Sequence, residues 1–443
     1  MKIFKRIVFV LLLIIIGTVI YNYPKLNIIS GYAAKNMASS VFVGHRSINS
    51  VTENDNNVPL IKLAEVTVDK EAKTATATVF GLMERKAVYR DGLGCVLLNG
   101  EKDAAEITIK PKRTRLDNGF PFPYGNNGTV DTVFPNINYA QLEKVMDNVF
   151  TDPELKKTRT LLVAYKGHIV SERYIDGFTK DTPILGWSMT KSILATLYGI
   201  LEYEGKIDLD EYYPFKTSQK EGWDAISLNH LLRMQSGLAW DEDYGSISDV
   251  TRMLFLDSDM TKAQEKTKIA TRPNAMRTYS SGTTNMLSGI LRKQFSTHQA
   301  YLDFPYTALI DKIGMHSMLI ETDMSGNFVG SSYGWANTRD WAKFGLLYLQ
   351  KGNWNGEQIF SPSWVDYVTT PADSTKIAGA HFWLNAGGKY PDVPKDLFSA
   401  NGYQGQRVFI IPSKDLVIVR TGLTGEPHFS TNDFLKEIIA AID

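Results

Sequence analysis

The sequence predicts an α+β protein in which strands from the N- and C-terminal ends form one antiparallel sheet that is covered by helices. Strand-like runs on both sides of a turn predict two hairpins, one at residues 160–165 and 169–174 and one at 408–411 and 416–421. Helical spacing of apolar residues dominates the sequence between them. Because strands flank a helical middle, we expect both hairpins to join in a single sheet.

Each further element is predicted from its local pattern, taken in chain order. Strand-like runs at 66–68 and 74–80, with shorter ones at 88–89 and 95–98, predict a small β-rich N-terminal extension. Residues 26–58 are polar and 111–135 are rich in Gly, Pro and Asn, so both segments are expected to be irregular. The predicted helices are 139–150, 188–204, 228–234, 282–294, 338–350 and 431–442. These patterns divide the chain into an N-terminal segment (1–25), the extension (26–136) and a larger domain (137–443).

The N-terminal segment has the charge pattern of a targeting or anchoring sequence. Lys2, Lys5 and Arg6 precede an uncharged, mostly apolar run at 7–21, which predicts either a secretory signal or a single membrane anchor. About fifteen helical residues rise only about 22 Å, short of the roughly 30 Å hydrocarbon core. No small-residue cleavage site follows closely, so both alternatives stay open. Both place the rest of the chain outside the cytoplasm, in the periplasm or at the cell surface.

Composition excludes several classes of function. The 443 residues carry 48 basic and 48 acidic side chains, so the formal net charge is zero and a nucleic-acid partner has no electrostatic support. The single cysteine, Cys95, lies in an apolar stretch and is expected to be a buried core thiol. The seven histidines are scattered, and no Cys/His cluster has the spacing of a zinc site. Neither a metal nor a cofactor is therefore predicted.

The segment 186–192 carries the first chemical motif. Ser188 and Lys191 stand three residues apart at the start of a predicted helix, so they share one helix face with the amine near the hydroxyl. A serine hydroxyl needs a base to become a nucleophile, and a desolvated lysine can help to provide one. The free N–H groups of the helix N-terminus favour the anion that forms during attack on a carbonyl. This Ser-x-x-Lys motif predicts acyl transfer.

Two later segments supply groups that can complete such a site. Tyr279 is followed by small residues and a new helix, so it can present its phenol to Ser188. A nearby Lys191 would lower the pKa of this phenol and favour the phenolate. The segment 401–407 enters a late strand, where glycines allow a substrate carbonyl to approach the backbone. One strand N–H can then complete an oxyanion hole with the N–H of Ser188.

Six blocks that include these motifs resemble the serine hydrolases of the class C β-lactamase and penicillin-binding type. Within that superfamily the chain is most similar to the branch of 6-aminohexanoate-dimer hydrolases and carboxylesterase-like enzymes. The blocks are residues 186–192, 230–238, 279–282, 340–345, 402–406 and 416–420. The resemblance implies the β-lactamase/transpeptidase-like fold. It also implies Ser188 as nucleophile, Lys191 as the amine that tunes it, Tyr279 as general base, and the backbone N–H groups of Ser188 and Gln406 as oxyanion donors.

Two departures from the family pattern bear on the substrate. Tyr279-Ser280-Ser281 stands where class C β-lactamases have Tyr-x-Asn, so the amide that contacts β-lactam side chains is missing. Tyr403-Gln404-Gly405 replaces the Lys-Thr-Gly sequence that receives a substrate carboxylate. These changes argue against efficient β-lactam hydrolysis and favour an amide or ester without that carboxylate requirement.

The expected function is hydrolysis of a small-molecule amide or ester through a Ser188 acyl-enzyme, with a membrane contact only through the N-terminal segment. Two alternatives remain: a peptidase that acts on D-amino-acid or cell-wall peptides, and a non-catalytic penicillin-binding-like receptor. The oligomeric state stays open. The remaining conspicuous residues are expected to be structural: the acidic run 241–243 as a solvated loop, His168 as a turn residue, and Trp187, Trp335 and Trp341 as packing residues.

Overall fold

The computed structural model describes residues 2–100, 109–115, 119–211 and 220–442. Its α-helices in these ranges are α1 (Lys2–Phe42), α2 (Ile48–Ser50), α3 (Tyr139–Phe150), α4 (Pro153–Lys156), α5 (Thr190–Tyr203), α6 (Leu228–Leu232), α7 (Asp249–Leu256), α8 (Ser281–Arg292), α9 (His298–Pro305), α10 (Thr338–Leu349), α11 (Pro362–Thr369) and α12 (Thr431–Ile442). The predicted helices are confirmed, although α6 stops two residues early, before Met234 turns the backbone with a φ of +58°.

The strands fall into four sheets in the described part of the chain. They are β1 (Ala64–Asp69), β2 (Thr74–Val79), β3 (Leu82–Arg90), β4 (Gly94–Leu97), β5 (Thr158–Tyr165), β6 (His168–Tyr174), β7 (Ile184–Leu185), β8 (Leu319–Ile320), β9 (Gly334–Ala336), β10 (Asn353–Trp354), β11 (Glu357–Gln358), β12 (Trp383–Leu384), β13 (Phe398–Gly402), β14 (Gln406–Ile411) and β15 (Leu416–Gly422). Both predicted hairpins, β5–β6 and β14–β15, are present.

A six-stranded antiparallel sheet organises the larger domain, with strands in the order β12-β13-β14-β15-β5-β6. The two hairpins meet where β15 pairs with β5, with Ile418 opposite Val163. This pairing confirms the predicted sheet from both ends of the domain. Every residue of β5 and β15 is buried, as expected for central strands that are covered on both faces.

Alternation along the central strands separates two apolar layers. Leu162 and Ala164 of β5 belong to the cluster that includes α5, α8 and α10, whereas Leu161 and Val163 pack with α3 and α12. Successive side chains of a strand point to opposite faces, so a single strand supplies both layers. The site described below lies on the α5 and α8 side of this sheet.

The N-terminal extension is a four-stranded sheet, β1-β2-β3-β4, with α1 packed against it. Its hairpins and the burial of Cys95 were predicted and are confirmed. The prediction that 26–58 is irregular is wrong, because α1 continues to Phe42. Small side chains at Ala33, Ala34 and Ala38 are fully buried in the cluster that joins helix and sheet. Packing of this kind stabilises a helix that local polarity does not predict.

The helix α1 also crosses the predicted boundary at residue 25 without a break. Across the described residues, no helix is both long enough and apolar enough to span a membrane. The apolar run that suggested an anchor is only about fifteen residues long, fewer than the roughly 20 that a spanning helix needs.

Candidate active site

Ser188 lies in a short turn, Trp187–Met189, that leads directly into α5. The Gly186 N–H donates to the Gly334 carbonyl (2.8 Å), and the Gly334 N–H donates to the Thr190 hydroxyl (2.9 Å). That hydroxyl in turn donates to the carbonyl of Trp187 (2.7 Å). These bonds tie the turn to β9, so its backbone is held while Ser188 itself remains partly exposed.

Trp187, directly before Ser188, has a φ of +48°, in the left-handed region that a bulky residue rarely adopts. Such backbone strain persists only where the surroundings hold the residue in place. The indole is buried, and four ring centroids lie at most 6.4 Å from its own: those of Tyr32, Tyr244, Tyr333 and Tyr403. Trp187 is therefore a packing residue, as are the buried Trp335 and Trp341, which confirms the prediction for all three.

Lys191 lies one turn along α5 with its amine against Ser188. Its Nζ is 3.2 Å from Ser188 Oγ, 2.8 Å from Ser281 Oγ and 2.8 Å from the carbonyl oxygen of Ser331. The side chain is almost fully buried. Burial lowers the pKa of Lys191 to about 8, and the charge of Glu242 opposes part of this shift. A substantial fraction of the amine is thus neutral near physiological pH.

The three contacts of Lys191 decide where a neutral amine directs its lone pair. Ser281 Oγ already donates its hydrogen to Glu242, so it can only accept from Lys191. The Ser331 carbonyl is likewise only an acceptor. A neutral amine has two hydrogens and one lone pair, and these two acceptors use both hydrogens. The lone pair therefore faces the hydroxyl of Ser188, which is the geometry for proton transfer from that hydroxyl.

Tyr279 lies immediately before α8, close enough to Ser188 for the hydroxyl of that serine to act on the pKa of its phenol. The Lys191 Nζ is 5.1 Å from the centre of its ring. Ser188, Lys191 and Tyr279 are therefore brought together as predicted. The expected lowering of the Tyr279 pKa is wrong, however: burial raises it well above its usual value, and the negative charge of Glu242 raises it further. The phenol stays protonated at neutral pH.

Gln406 begins β14, next to the turn that carries Ser188. Its side-chain amide donates to the Gly422 carbonyl (2.6 Å), and its side-chain oxygen accepts from the Gly422 N–H (3.1 Å). The side chain therefore joins β14 to β15, which leaves the backbone as the part available for the predicted oxyanion role. Opposite Gln406 on β13, Gly402 packs so closely that a Cβ there would lie 2.0 Å from the Gly186 carbonyl oxygen. This glycine serves contact between two backbones rather than approach of a substrate.

Glu242 is a site residue that sequence reasoning missed. The acidic run 241–243 was expected to be a solvated loop, and Asp241 and Asp243 are exposed as predicted. Glu242 is half-buried instead, and its carboxylate accepts from both the N–H (2.9 Å) and the hydroxyl of Ser281. The signal available in the sequence was the aromatic pair Trp240 and Tyr244, each two residues from Glu242, and both side chains donate hydrogen bonds to its carboxylate. Glu242 thus acts electrostatically on both Lys191 and Tyr279.

Comparison with known proteins agrees with this architecture. The beta-lactamase family matches residues 158–434 of the chain, which is more than half of its length. The chain belongs to the beta-lactamase family. The matched segment starts with β5 and includes Ser188, Lys191, Tyr279 and Gln406.

Similar proteins include hydrolases of amides and esters. A 6-aminohexanoate-dimer hydrolase of Paenarthrobacter ureafaciens is 25% identical over 327 residues, which cover 65% of this chain and 79% of that protein. A family VIII carboxylesterase has a TM-score of 0.51 at 17% identity, covering 70% of this chain and 98% of that one. A penicillin-binding protein homologue from Caulobacter crescentus has a TM-score of 0.55 at 16% identity, covering 70% and 99%. The structural neighbours share the β-lactamase/transpeptidase-like fold, and the family together with the names of these proteins supports a hydrolase of the amide or ester type.

Proposed function

We propose that this chain is a serine hydrolase that cleaves an amide or ester bond through an acyl-enzyme on Ser188. The observation that carries the proposal is the contact of 3.2 Å between Lys191 Nζ and Ser188 Oγ, with both other partners of the amine restricted to accepting hydrogen bonds. Burial holds the pKa of Lys191 at about 8, close to the value that an effective general base needs near neutral pH.

In the proposed acylation a proton passes from Ser188 to Lys191, from Tyr279 to the leaving atom, and from Lys191 back to Tyr279. Neutral Lys191 takes the proton of Ser188 while Oγ forms a bond to the substrate carbonyl carbon. The backbone N–H groups of Ser188 and Gln406 stabilise the oxyanion. As the intermediate collapses, the protonated phenol of Tyr279 donates to the leaving atom, and the proton held by Lys191 restores the phenol. The role of Tyr279 as donor follows from its raised pKa, which disfavours the phenolate.

Deacylation reverses these transfers with water in place of the leaving group. The water oxygen attacks the acyl carbon, its proton passes to the Tyr279 and Lys191 pair, and Ser188 Oγ recovers a proton as the acid leaves. The Ser281 hydroxyl and the Ser331 carbonyl accept the two hydrogens of neutral Lys191 and so keep its lone pair directed at Ser188, while Glu242 holds the Ser281 hydroxyl as an acceptor.

Labelling with a fluorophosphonate, together with turnover of p-nitrophenyl esters, tests this function. The wild-type protein is expected to be labelled at Ser188 and to hydrolyse the ester, whereas Ser188→Ala should lose both. Ser363→Ala, in an exposed position on α11, is the matched control and should behave as wild type. Labelling at a different serine would contradict the proposal, and labelling of Ser188 without turnover would favour the receptor alternative.

A pH profile separates the electrostatic role of Glu242 from a structural one. If neutral Lys191 is the base, kcat/KM should rise with pH through about 8 in the wild-type protein, because the amine loses its proton there. Glu242→Gln removes a negative charge that raises the pKa of Lys191, so the rising limb is expected to move to lower pH.

Asp243→Asn is the matched control for this profile. Asp243 is the neighbouring acidic residue and is fully exposed. Asp243→Asn should therefore leave the rise of kcat/KM at the same pH as in the wild-type protein. If the rising part of the kcat/KM profile stays unchanged in Glu242→Gln, or moves to higher pH, Lys191 does not act as the base under the influence of Glu242.

A further inference from the structure

Arg420 on β15 is a buried cation whose hydrogen bonds all go to uncharged oxygen atoms. The residue is only 1% exposed. Its Nε and Nη2 contact the Thr158 hydroxyl at 3.2 and 2.9 Å, and Nη2 also donates to the Lys156 carbonyl at 2.7 Å. Its Nη1 donates to the carbonyls of Thr424 (2.7 Å) and Gly405 (3.1 Å). None of these partners, within the described part of the chain, is a carboxylate that could neutralise the charge.

The positive charge of Arg420 persists at neutral pH despite this burial. Burial lowers the pKa of Arg420 to about 9, and the nearby cation Arg407 contributes to the decrease. A buried charge without an ionic partner is costly unless hydrogen bonds compensate for the lost water. Here the compensation comes from backbone carbonyls, so the structure keeps a permanent cation in contact with the main chain.

Arg420 lies on the face of the sheet opposite the candidate active site. Along β15, Val419 belongs to the apolar layer that includes α5 and α8, whereas Ile418 packs with α3 and α12. Because side chains alternate along a strand, Arg420 projects into the same layer as Ile418. Phe429, which also belongs to that layer, covers the guanidinium with its ring centroid 3.9 Å from Cζ. Arg420 therefore reaches Gly405 from behind the sheet.

The contact with Gly405 fixes the direction of the Gln406 N–H. The Gly405 carbonyl and the Gln406 N–H are the two ends of one peptide group, and in a planar trans peptide they point in opposite directions. Since Arg420 holds the carbonyl on its own side, the N–H is directed away from Arg420, toward the face on which Ser188 lies. Gly405 has a φ of +82°, and a Cβ there would lie 2.4 Å from Arg420 Nη1. A glycine is therefore needed for this close approach.

The same contact also makes the Gln406 N–H a stronger donor. Hydrogen bonds from a charged donor are stronger than those between neutral groups, and linked hydrogen bonds polarise one another. A cation on the carbonyl oxygen of a peptide draws electron density from its N–H. In a buried setting this effect is screened less than in water.

We propose that Arg420 is a positioning residue of the oxyanion hole, acting through the Gly405–Gln406 peptide to orient and polarise the Gln406 N–H. The inference rests on the proposed function, in which that N–H binds the oxyanion. Arg420 is fully buried and does not touch the substrate. Its effect grows when the substrate carbonyl oxygen becomes an anion, so it favours the transition state over the bound substrate.

The kinetics of p-nitrophenyl acetate hydrolysis by the full chain test this role. Arg420→Gln removes the charge but keeps an amide that can donate to backbone carbonyls. We expect kcat to fall about 10- to 100-fold, less than the roughly 100- to 1000-fold associated with loss of an oxyanion donor itself. KM should change little, because acylation and deacylation both form an oxyanion. Arg420→Lys keeps a cation and should recover most of the lost rate.

A trifluoromethyl ketone measures oxyanion stabilisation without turnover. The probe is 2,2,2-trifluoroacetophenone labelled with ¹³C at the carbonyl, which Ser188 is expected to convert into a hemiketal. The pH dependence of its ¹³C chemical shift gives the pKa of the hemiketal hydroxyl. This pKa should rise by about 1–2 in Arg420→Gln, the equivalent of a 10- to 100-fold effect, and stay near the wild-type value in Arg420→Lys. A merely structural role would lower the melting temperature and leave this pKa in place.

Arg85→Gln is the matched control for removal of a buried guanidinium. Arg85 is also buried and donates to the carbonyls of Asn27 (3.2 Å), Leu98 (3.2 Å) and Phe255 (2.8 Å), but it lies on β3 in the N-terminal extension. Its replacement should lower the melting temperature without moving the hemiketal pKa. Arg420→Met, a second neutral variant, provides the same test if Arg420→Gln does not fold.

The outcomes distinguish the role of Arg420 from the proposed function. Unchanged kcat and hemiketal pKa in a folded neutral variant of Arg420 would overturn the inference and leave the function standing. The same follows if Arg420→Lys is as impaired as Arg420→Gln, or if Arg85→Gln raises the hemiketal pKa equally. If the wild-type protein shows neither ester hydrolysis that depends on Ser188 nor a hemiketal at Ser188, the proposed function and the inference fail together.

Discussion

Lys191→Met is expected to lower kcat/KM by about 100- to 10,000-fold, the range associated with loss of a positioned general base. Methionine fills a similar volume but has no lone pair that can take the Ser188 proton. The change also leaves Ser281 Oγ and the Ser331 carbonyl without their donor. Steady-state hydrolysis of an activated ester, measured beside the melting temperature, checks this result.

Lys191→Arg distinguishes a base from a mere positive charge. Arginine keeps the charge near Tyr279 but does not lose its proton in a protein, so it cannot accept one from Ser188. We therefore expect the arginine variant to be nearly as inactive as the methionine variant. An arginine variant with wild-type rates would contradict the role of Lys191 as proton acceptor and would return that role to Tyr279.

Lys343→Met is the matched control for removal of a buried lysine. Lys343 is fully buried on α10, where its amine donates to the Gly314 carbonyl and to Asn126, both at 2.6 Å. Its loss should lower stability through unsatisfied partners, while the folded fraction keeps its activity. The comparison separates a catalytic effect at Lys191 from the general cost of replacing a buried amine.

Glu321→Ala is expected to reduce the free energy of unfolding by about 3–5 kcal/mol, the cost of leaving a buried charge without its partner. The Glu321 carboxylate is fully buried and accepts from Lys35 Nζ (2.7 Å), from Ser39 Oγ (2.9 Å) and from the backbone N–H of Cys95 (2.7 Å). It also accepts from the Trp335 indole N–H (3.0 Å). These partners lie on α1, β4 and β9, so one carboxylate joins the N-terminal extension to the larger domain.

Urea unfolding checks this expectation against a matched surface pair. Glu143 also accepts an arginine, Arg173, at 2.7 Å, but more than half of the Glu143 side chain is exposed. Glu143→Ala should therefore cost only about 0–1 kcal/mol. The double variant Lys35→Met with Glu321→Leu removes both charges and should recover much of the lost stability. A single Glu321→Ala variant as stable as Glu143→Ala would contradict the structural role of this ion pair.

The Glu321 variant also bears on the site, because Trp335 follows Gly334, the residue that holds the turn of Ser188. Tyr32 of α1 packs against Trp187 on the other side of that turn. The extension, which carries no catalytic motif of its own, therefore supports the backbone that positions the nucleophile. Sequence patterns could not predict this support, because the residues involved are separated by more than 150 positions.

Most of the fold followed from short-range patterns. Helix periodicity at 139–150 and 431–442 matches α3 and α12, and the two hairpins pair as expected. The prediction that residues 26–58 are irregular failed for a local reason. The polar and small residues there do not indicate which face of a helix would pack against a sheet. Only contact with the sheet β1–β4 buries Ala33, Ala34 and Ala38 and stabilises the continuous helix.

The sequence by itself determined the chemical groups of the site and their order along the chain. The spacing of Ser188 and Lys191 on one helix face is a local property of the chain, and it needs no tertiary contact to be predicted. Tertiary structure alone decided how these groups ionise and what surrounds them. Burial lowers the pKa of Lys191 to about 8 against the opposing charge of Glu242, whereas burial and Glu242 together raise the pKa of Tyr279. The physical reason is that solvation and charge interactions act through space, between residues whose proximity the linear order does not contain.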